Sequence, residues 1–376
     1  MSEPINVGII GTKFMGRAHS NAFIDVSYFY DLPRQPILRA ACGVDETSLK
    51  TFAQRFGWET TETSYERMVA REDIDLVDIC TSNATHAPMA LAAAKAGKHI
   101  ICEKPLAMNA GEARRMLDAA NEAGVRHMVA FNYRRVPAIA LAKQLIEQGK
   151  IGKIYHFNAV YLQDWMVDPN GPFAWRSDAS QAGSGAHGDL NAHIIDLARY
   201  LNGEVSAVSA VMETFVKERP LPGGKGKATV TVDDAAFLLA RFQNGGIGSF
   251  QATRFAPGRK NFLRLEIFGS KGSINFNLER LNELEFHSLE DDANTQGFRT
   301  IMVTESTHPY INRWWPVGHI IGWEHSFIHE IGDFLLAVAN NEPVYPDFHD
   351  GLRCQQVLDA AVKSSAEQKW VEVPEA

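Results

Sequence analysis

The chain has 376 residues, of which 45% are hydrophobic and 22% charged, and its formal net charge is -8. This length exceeds what one ordinary core needs and predicts two domains with the composition of a globular protein. The negative charge and the lack of a Lys/Arg block argue against nucleic acid or an anionic membrane as a partner. No apolar run reaches the roughly 18 residues of a membrane-spanning helix.

The start of the chain and the cysteines predict a cytoplasmic protein. A strand-like apolar run begins directly after Ser2, Glu3 and Pro4, which leaves no room for a signal peptide. The four cysteines are far apart and form no CxxC pair. Three of them lie in or next to apolar runs, where reduced cysteine packs as a small hydrophobic group.

The first third of the chain alternates short apolar strands with amphipathic helices. Strands are predicted at 5–10, 37–44, 76–80, 100–102 and 127–131, and helices at 15–26, 47–56, 87–96, 110–123 and 137–148. Near-continuous apolar runs are typical of parallel strands buried on both faces, and right-handed crossovers through helices produce a doubly wound sheet. We therefore predict an α/β Rossmann domain over residues 1–133.

The remainder, residues 134–376, is richer in strands and predicts an α+β domain. Strands are expected at 154–162, 205–216, 228–241, 246–253, 261–268 and 272–277, helices at 189–201, 323–339 and 351–365, and loops at 164–185, 218–227 and 290–295. This pattern indicates an open, mainly antiparallel sheet with helices on one face. Because an open sheet usually covers its free face by self-association, we expect a homodimer or homotetramer.

The first strand leads into a glycine-containing turn, VGIIGTKFMG over residues 7–16. A glycine permits the tight turn, a second lets the helix pack on the strand, and the amides at the helix start can receive a pyrophosphate. The middle glycine of GxGxxG is replaced by lysine, so the motif is weak alone, but its place at the first strand favours dinucleotide binding. The cofactor-binding residues predicted here are Gly11, Thr12, Lys13, Phe14, Met15 and Gly16.

The end of the second strand carries Gly43 and Asp45, both predicted to border the cofactor ribose. Asp45 has two interpretations: it accepts from the ribose 2′-hydroxyl, as in NAD-preferring enzymes, or it caps the following helix. We favour the cap, with Gly43 then at the ribose. No arginine follows to bind a 2′-phosphate, although Lys13 is a candidate, so NAD and NADP both remain open.

Lys104 follows a predicted strand and precedes a proline. Ligands bind at the carboxyl ends of strands in open α/β sheets, and the residue before proline avoids helical backbone. An ammonium at this edge can polarise the oxygen of a reacting hydroxyl. Without the surrounding Glu-Lys-Pro motif, an ordinary surface lysine would be the better interpretation.

Asp189 and His193 stand four residues apart at the start of a predicted helix and so share one face. An imidazole titrates near neutrality and is a natural proton acceptor, while the carboxylate can bind a neighbouring hydroxyl and raise the basicity of the imidazole. In the alternative interpretation Asp189 caps the helix and His193 is a half-buried structural residue.

Two further groups are candidates for binding a ligand, the first a sugar and the second a metal ion. A polar-aromatic set suits stacking and hydrogen bonding to a pyranose ring, although aromatic residues in a sheet domain are more often core. Its members are Tyr133, Gln163, Asp164, Trp165, Trp175 and Arg176. Trp323 belongs either to the same wall or to a subunit interface. His325 and His329 have helical i, i+4 spacing, but with Glu330 beside them a solvated face or an interface is favoured and no metal is predicted.

Several segments together resemble the Gfo/Idh/MocA family of oxidoreductases. AGKHIICEKPLA over residues 96–107 resembles its signature, TSNATH over 81–86 its third βα turn, and GSGAHGDLNAH over 183–193 its Asp-x-x-x-His helix start. The likeness runs in order through nearly the whole chain. NYRR at 132–135, YLQDW at 161–165 and WR at 175–176 are similar to the levoglucosan dehydrogenase-like branch.

The resemblance implies hydride transfer between NAD(P) and a secondary hydroxyl of a sugar, an anhydrosugar or an inositol. In that reaction Lys104 is the oxyanion stabiliser, His193 is the base and Asp189 is the third catalytic residue. It adds cofactor residues, Ser82, Asn83, His86, Glu103 and Lys104, and a substrate residue, His187. Two departures stand out: Lys13 replaces the second glycine, and His187 with Asn191 stand where the branch usually has apolar and small residues.

Two other functions occur on this fold. Sugar-responsive regulators bind the dinucleotide without turnover and are expected to lack Lys104, Asp189 and His193, all of which are present here. NAD-dependent glycoside hydrolases keep these residues, and the sequence does not separate them from dehydrogenases.

Overall fold

The structure is a computed structural model that describes residues 3–375. The chain forms two compact units: unit 1 ends its first segment at Arg135 and adds Gly322–Leu352, and unit 2 contains Val136–Ile321 and the chain from Arg353 onward. The first boundary lies close to the predicted residue 133. The return of Gly322–Leu352 to unit 1 differs from the predicted division into two continuous stretches.

Unit 1 is a parallel sheet with helical crossovers, as predicted. Its strands are β1 Ile5–Ile10, β2 Pro36–Cys42, β3 Thr60–Glu62, β4 Leu76–Ile79, β5 His99–Cys102 and β6 His127–Val129. Its helices are α1 Phe14–Phe29, α2 Glu46–Phe56, α3 Tyr65–Val69, α4 His86–Lys95, α5 Ala110–Glu122 and α9 His325–Asn340. All strand pairs are parallel in the order β3-β2-β1-β4-β5-β6. The order reverses between β1 and β4, where doubly wound sheets bind their ligands.

Two short elements of unit 1, β3 and α3, were not predicted. β3 has the sequence TTE and only three residues, and its exposed or half-buried positions give no apolar run to read. α3 spans only Tyr65–Val69 and is capped by Ser64, whose hydroxyl accepts from the amide of Arg67.

Helix α9 explains why the late segment belongs to unit 1. Its Gly332 lies against the ring of Tyr30 on the chain just after α1, so closely that a Cβ would come within 2.3 Å of a ring carbon. Phe327 packs on His19 of α1 with ring centroids 5.4 Å apart. The contact is specified by small and aromatic side chains far apart in sequence.

Unit 2 contains the predicted, mainly antiparallel sheet. Its strands are β7 Ile154–Leu162, β8 Val205–Glu213, β9 Glu218–Pro220, β10 Lys227–Thr229, β11 Ala235–Phe242, β12 Ile247–Thr253, β13 Phe262–Gly269, β14 Gly272–Asn277, β15 Glu283–Ser288, β16 Arg299–Met302 and β17 Val371–Glu372. Its helices are α6 Pro137–Glu147, α7 Ala179–Ala182 and α8 Ala192–Asn202, and α10 Phe348–Glu367 continues into it from unit 1. Nine strands follow the order β16-β15-β14-β13-β7-β12-β11-β8-β17, with β7 and β12 parallel. β9 and β10 form a separate pair.

The predicted strand over residues 228–241 is interrupted. β10 and β11 are separate because Asp233 and Asp234, between them, turn their carboxylates onto backbone amides of other segments. The predicted loop at 218–227 contains β9, whose partner is β10.

The nine-stranded sheet has one covered and one exposed face. Helices α6 and α8 pack on the covered face. On the other face Val211, Phe237, Leu239 and Ile247 are between 47% and 71% exposed. Val211 and Phe237 are directly opposed on neighbouring strands, so the exposed apolar surface is contiguous.

Across residues 3–375, no helix combines the length and the apolar character of a membrane span. All four cysteines lie within this described part of the chain, where they are buried and form no disulfide.

Candidate active site

The glycine turn of unit 1 has the geometry that a dinucleotide turn requires. Gly11 adopts φ 110°, and a Cβ there would lie 2.5 Å from the carbonyl oxygen of Cys80. A Cβ on Gly16 would lie 2.0 Å from the carbonyl oxygen of Gly11. The first turn of α1 has no acidic residue and no side-chain cap, so its amides are left for an anion.

Aromatic side chains flank this turn. Phe14 is 61% exposed, and its ring stacks on Trp323 at 5.5 Å and 9°. The indole N–H of Trp323 donates to the hydroxyl of Tyr133 over 3.3 Å. Tyr133 and Trp323 therefore lie beside the cofactor turn within unit 1, whereas the other members of the predicted pyranose set belong to unit 2.

Asp45 caps α2, the interpretation that the sequence favoured. Its Oδ1 accepts from the amide of Ser48 at 2.8 Å. Hydrogen bonding by the Ser48 hydroxyl and then by this amide lowers the pKa of the carboxyl. The amide of Gly43 donates to the backbone carbonyl oxygen of Glu62. A Cβ on Gly43 would come within 3.2 Å of the Thr12 methyl group.

A cavity of about 240 Å³ lies next to these residues in unit 1. Its lining is basic and carries no carboxylate: Thr12, Lys13, Arg17, Ser48, Thr51, Phe52, Arg55 and Phe56. No arginine follows β2 directly, but Arg17 of α1 and Arg55 of α2 line this cavity. Their helical positions hid them from a search for a basic residue at the strand end.

Lys104 is half-buried directly after β5, and its peptide bond to Pro105 is cis. The amide of Lys104 donates to Oε2 of Glu103 at 3.0 Å. Oε1 of Glu103 lies 3.0 Å from Nε2 of His19. Nδ1 of the same imidazole lies 2.9 Å from Asp78. Glu103 thus supports the turn at residues 103–105, the lysine turn, through a buried network. His19 belongs to this network, and no sequence pattern predicted its role.

The residues predicted after β4 occupy a short 3-10 turn. Asn83 is buried at its start, with Ser82 half-buried before it. His86 is fully buried, and its nitrogens lie 3.0 Å and 3.3 Å from the carbonyl oxygens of Pro105 and Thr81. Burial lowers its pKa. These contacts join the loops after β4 and β5, so His86 supports the predicted cofactor edge rather than presenting a free nitrogen to it.

In unit 2, Asp189 and His193 lie on an irregular helix start. Residues His187–Asn191 form a π-helical turn, and α8 begins only at Ala192, whereas a regular helix over 189–201 was predicted. Asp189 does not cap the helix. Its Oδ2 lies 3.1 Å from Nη2 of Arg254, which is 1% exposed. His193 is buried, with its ring 5.8 Å from that of Tyr161.

Asp233 supplies the cap instead. Its two carboxylate oxygens accept from the amides of Gly185 and His187, each at 2.7 Å. Gly185 approaches so closely that a Cβ would lie 1.7 Å from the Asp233 carbonyl oxygen. Because the cap comes from a distant loop, local spacing could not reveal it.

Arg254 was also missed from the sequence. Besides Asp189, it donates to the carbonyl oxygen of Gly185 at 2.8 Å, and its guanidinium lies 5.3 Å from the ring centroid of Trp165. Its place directly after β12 was the available signal, since strand ends carry functional residues in many folds.

Four members of the predicted pyranose set are tied to one another or to neighbours in unit 2. Gln163 donates to Asn261 at 2.8 Å and accepts from the indole of Trp165 at 2.7 Å. Arg176 stacks over Trp175 at 4.3 Å. The fifth, Asp164, pairs with Lys260 at 2.7 Å, and this contact lowers the pKa of its carboxyl. Trp165 remains 50% exposed, the most open member of the set.

His187 differs from the expected substrate role. It is fully buried, its Nε2 lies 3.0 Å from the carbonyl oxygen of Leu358, and its Nδ1 lies 3.1 Å from the Asn191 amide nitrogen. Burial lowers its pKa, which suits a neutral ring that donates at one nitrogen and accepts at the other. Both nitrogens are engaged inside unit 2, which leaves none for a substrate.

Of the two interpretations of the helix face at His325 and His329, a solvated face or an interface, the solvated face is wrong, because His329 and Glu330 are both fully buried. Nδ1 of His329 bonds to the carbonyl oxygen of Arg135 at 2.9 Å, and Nδ1 of His325 accepts from the amide of Gly322. These two histidines therefore make separate backbone contacts rather than sharing a ligand.

The comparisons with known proteins agree with this architecture. Residues 5–131 match the oxidoreductase family with an NAD-binding Rossmann fold, and residues 139–275 match the GFO/IDH/MocA C-terminal domain. Levoglucosan dehydrogenase of Pseudarthrobacter phenanthrenivorans is 46% identical over 387 aligned residues that cover 99% of both chains. Myo-inositol 2-dehydrogenase of Thermotoga maritima is 28% identical over 99% of both chains.

Solved structures give the same result. A levoglucosan dehydrogenase complex with NADH has a TM-score of 0.97 at 46% identity and covers 100% of both chains. An oxidoreductase domain protein from Kribbella flavida has a TM-score of 0.97 at 49% identity, again with 100% coverage of both. Family matches over both units and full-length similarity to a dehydrogenase show that this chain belongs to the Gfo/Idh/MocA oxidoreductases, whose Rossmann domain binds NAD.

Proposed function

We propose that the protein oxidises a secondary hydroxyl of an anhydrosugar of the levoglucosan type, or of a related sugar or inositol, and passes the hydride to NAD. The observation that carries the proposal is full-length similarity to levoglucosan dehydrogenase, of which one solved structure is a complex with NADH and levoglucosan. The chain has Lys104, Asp189 and His193 at the matching motifs.

In the proposed reaction the substrate carbon gives its hydride to the nicotinamide and its hydroxyl proton to His193, and a carbonyl forms. The ammonium of Lys104 stabilises the negative charge that develops on the oxygen. Asp189, with Arg254 as its counter-ion, accepts a hydrogen bond from a neighbouring hydroxyl and orients the sugar. Trp165 offers an exposed ring for stacking on the sugar face.

The cofactor residues proposed for NAD are the turn from Gly11 to Gly16, Gly43, Asp45, and the loop residues Ser82 and Asn83. Glu103 supports this edge indirectly, because its two carboxylate oxygens bind His19 and the amide of Lys104. The basic cavity that includes Lys13, Arg17 and Arg55 supports some acceptance of a 2′-phosphate, and thus of NADP. Asp45, which shares this region, opposes it by charge.

We also propose that the chain self-associates as a dimer or tetramer in the cytoplasm. The exposed apolar face with Val211, Phe237 and Leu239 supports association. Four buried cysteines that form no disulfide among the described residues suit a reducing compartment. Light scattering after gel filtration tests the assembly, and Leu239→Lys should shift it to a smaller species.

The activity test measures the reduced-nicotinamide absorbance with NAD and a panel of levoglucosan, myo-inositol and free aldoses. Turnover with levoglucosan and its loss in Lys104→Met support the dehydrogenase. Lys95→Met, at an exposed position late in α4, is the matched control and should keep wild-type turnover.

Other outcomes identify the alternatives. Sugar binding without turnover in either wild type or Lys104→Met indicates a sensor. Cleavage of a glycoside without net accumulation of reduced cofactor indicates a hydrolase that uses transient oxidation. Either result overturns the proposal.

A further inference from the structure

A fully buried imidazole in unit 1 faces a carboxylate at each nitrogen. Nδ1 of His19, on α1, lies 2.9 Å from Asp78 of β4, and Nε2 lies 3.0 Å from Glu103 after β5. A neutral imidazole has one N–H and can donate to only one of them. If both carboxylates are ionised, both nitrogens must donate and the ring is a cation.

The surrounding charges favour that cation. Burial lowers the pKa of His19, but the Asp78 charge and hydrogen bond oppose it and hold the pKa well above its usual range. From α9, Glu330 faces the same cluster, and burial raises its pKa to about 8, so it is neutral near pH 7. Burial likewise raises the pKa of Cys80, which keeps that thiol neutral. With Glu330 and Cys80 neutral, an imidazolium at His19 faces two carboxylates, those of Asp78 and Glu103.

The cluster ends at the lysine turn. Oε1 of Glu103 is held by His19, and Oε2 accepts the amide of Lys104 at 3.0 Å. Each oxygen of one carboxylate is thus bound from a different side, which removes the rotamer freedom that a glutamate at a strand end otherwise keeps. Charge-assisted hydrogen bonds of this kind are the strong ones.

We propose that His19 is a positioning residue for Lys104: as an imidazolium shared by Asp78 and Glu103, it fixes the Glu103 carboxylate and, through it, the backbone that carries the lysine. The inference rests on the proposed role of Lys104 in hydride transfer. His19 itself touches neither cofactor nor substrate in this assignment.

Side-chain proton–nitrogen correlation spectra of the full-length protein with NADH test the charge directly. We expect one histidine to keep both nitrogens protonated at pH values well above the ordinary histidine pKa of about 6.5. That signal should vanish in His19→Gln, which assigns it. A neutral tautomer at His19 at pH 7 overturns the proposal, and assignment through the backbone resonances of His19 keeps this measurement decisive even if the variant does not fold.

Kinetics test the positioning. His19→Gln should lower kcat with levoglucosan roughly tenfold to a hundredfold, the usual effect of losing a partner that orients a functional group. The Kd for NADH should change less than about threefold, because the glycine turn is untouched. His99→Gln, which replaces a half-buried histidine at the other end of β5, is the control and should keep kcat within about twofold.

Two comparisons separate the possible failures. If His19→Gln loses NADH affinity in parallel with kcat, or keeps wild-type kcat, the residue is only structural and the proposal fails. Glu103→Gln should lower kcat by a similar factor, and the double variant should lose little more, since both residues act in one chain. If Lys104→Met retains turnover, the proposed function of Lys104 fails; if it abolishes turnover while His19→Gln does not lower it, only the present inference fails.

Discussion

The turn after β5 in unit 1 and the turn before α8 in unit 2 carry the proposed catalytic groups, and buried charges hold each one differently. At Lys104 the support passes from side chain to side chain, from Asp78 through His19 to Glu103, and Glu103 then accepts the backbone amide of Lys104. Before α8, Asp233 holds two backbone amides directly, and Arg254 holds both a carbonyl oxygen and the Asp189 carboxylate.

Because the two turns are held differently, we expect the two units to respond to different changes. A chain of ionised side chains depends on which groups hold protons, so unit 1 should respond to pH and to isosteric amide substitutions. A backbone turn held by a buried carboxylate and a guanidinium depends on shape and hydrogen bonding, so unit 2 should respond to truncation. The following predictions test that division.

The largest effect is expected in unit 2, at the proposed base. His193→Ala should lower turnover by about two to four orders of magnitude, because proton transfer then has no positioned acceptor. NADH affinity, measured by fluorescence titration, should stay unchanged, since the glycine turn lies in unit 1. Near wild-type turnover at neutral pH would remove His193 from the mechanism.

The next largest effect is expected for Arg254→Met. It leaves the Asp189 charge without its cation and the Gly185 carbonyl oxygen without its donor, so the free energy of unfolding should fall by about 3 kcal/mol. Arg241→Met, at an exposed position where the guanidinium only covers Trp370, is the control and should change stability by less than about 0.5 kcal/mol. Chemical denaturation measures both. An equal decrease in the free energy of unfolding in the two variants would show that Arg254 stabilises the turn before α8 no more than an exposed arginine does.

Glu330 provides the pH test of unit 1. Its pKa is raised from 4.5 to about 8 by burial, with Arg135 at 3.9 Å opposing the shift, and Asp78, Glu103 and His19 act on it as well. The unfolded state therefore loses the proton near pH 4.5 while the folded state keeps it to about pH 8. Stability from this group is present below the lower value and is lost as the pH rises toward the higher one.

Glu330→Gln should abolish that loss. Between pH 6 and pH 8 the stability of the variant should rise by about 2–3 kcal/mol relative to wild type, from about 1.4 kcal/mol per pH unit. Glu342→Gln, at an exposed site just beyond α9, should leave the pH dependence as it is. Thermal unfolding at several pH values measures the difference. A parallel pH dependence in wild type and Glu330→Gln would contradict the buried, protonated carboxyl.

The smallest effect concerns the cofactor. We expect modest NAD preference, because the charge of Asp45 opposes a 2′-phosphate. NADP binding should still be measurable, because Gly43 offers no acid while Lys13, Arg17 and Arg55 border the neighbouring cavity. A Kd ratio beyond roughly a thousandfold, about 4 kcal/mol, in either direction would show a dedicated ribose reader at Asp45 or Lys13. Isothermal titration with both dinucleotides measures the ratio.

Much of the fold and part of the site followed from local sequence. The strand-to-helix turn with Gly11 and Gly16, the cap at Asp45 and the position of Lys104 after a buried strand all depend on residues within a few positions of one another. Local periodicity also predicted five of the six parallel strands. The exception is β3, whose three residues have no apolar pattern.

The remainder depends on residues far apart in the chain. Asp233 caps a turn some 46 to 48 residues earlier, and His19 meets Glu103 across 84 residues. Glu330 was predicted to lie on a solvated face or an interface because its neighbours His325 and His329 are polar. Packing within unit 1 buries it. No spacing rule within a single helix could place these groups.

The late return of Gly322–Leu352 to unit 1 constrains how the protein is made. During synthesis the N-terminal sheet leaves the ribosome first, but the α9 surface that covers Tyr30 and His19 arrives only after the whole of Val136–Ile321 has been translated. Until then α1 exposes apolar surface that chaperones recognise. A fragment cut at residue 135 should therefore be aggregation-prone, and fusing the segment 322–352 to it through a flexible linker is the simplest way to obtain a cofactor domain that folds alone.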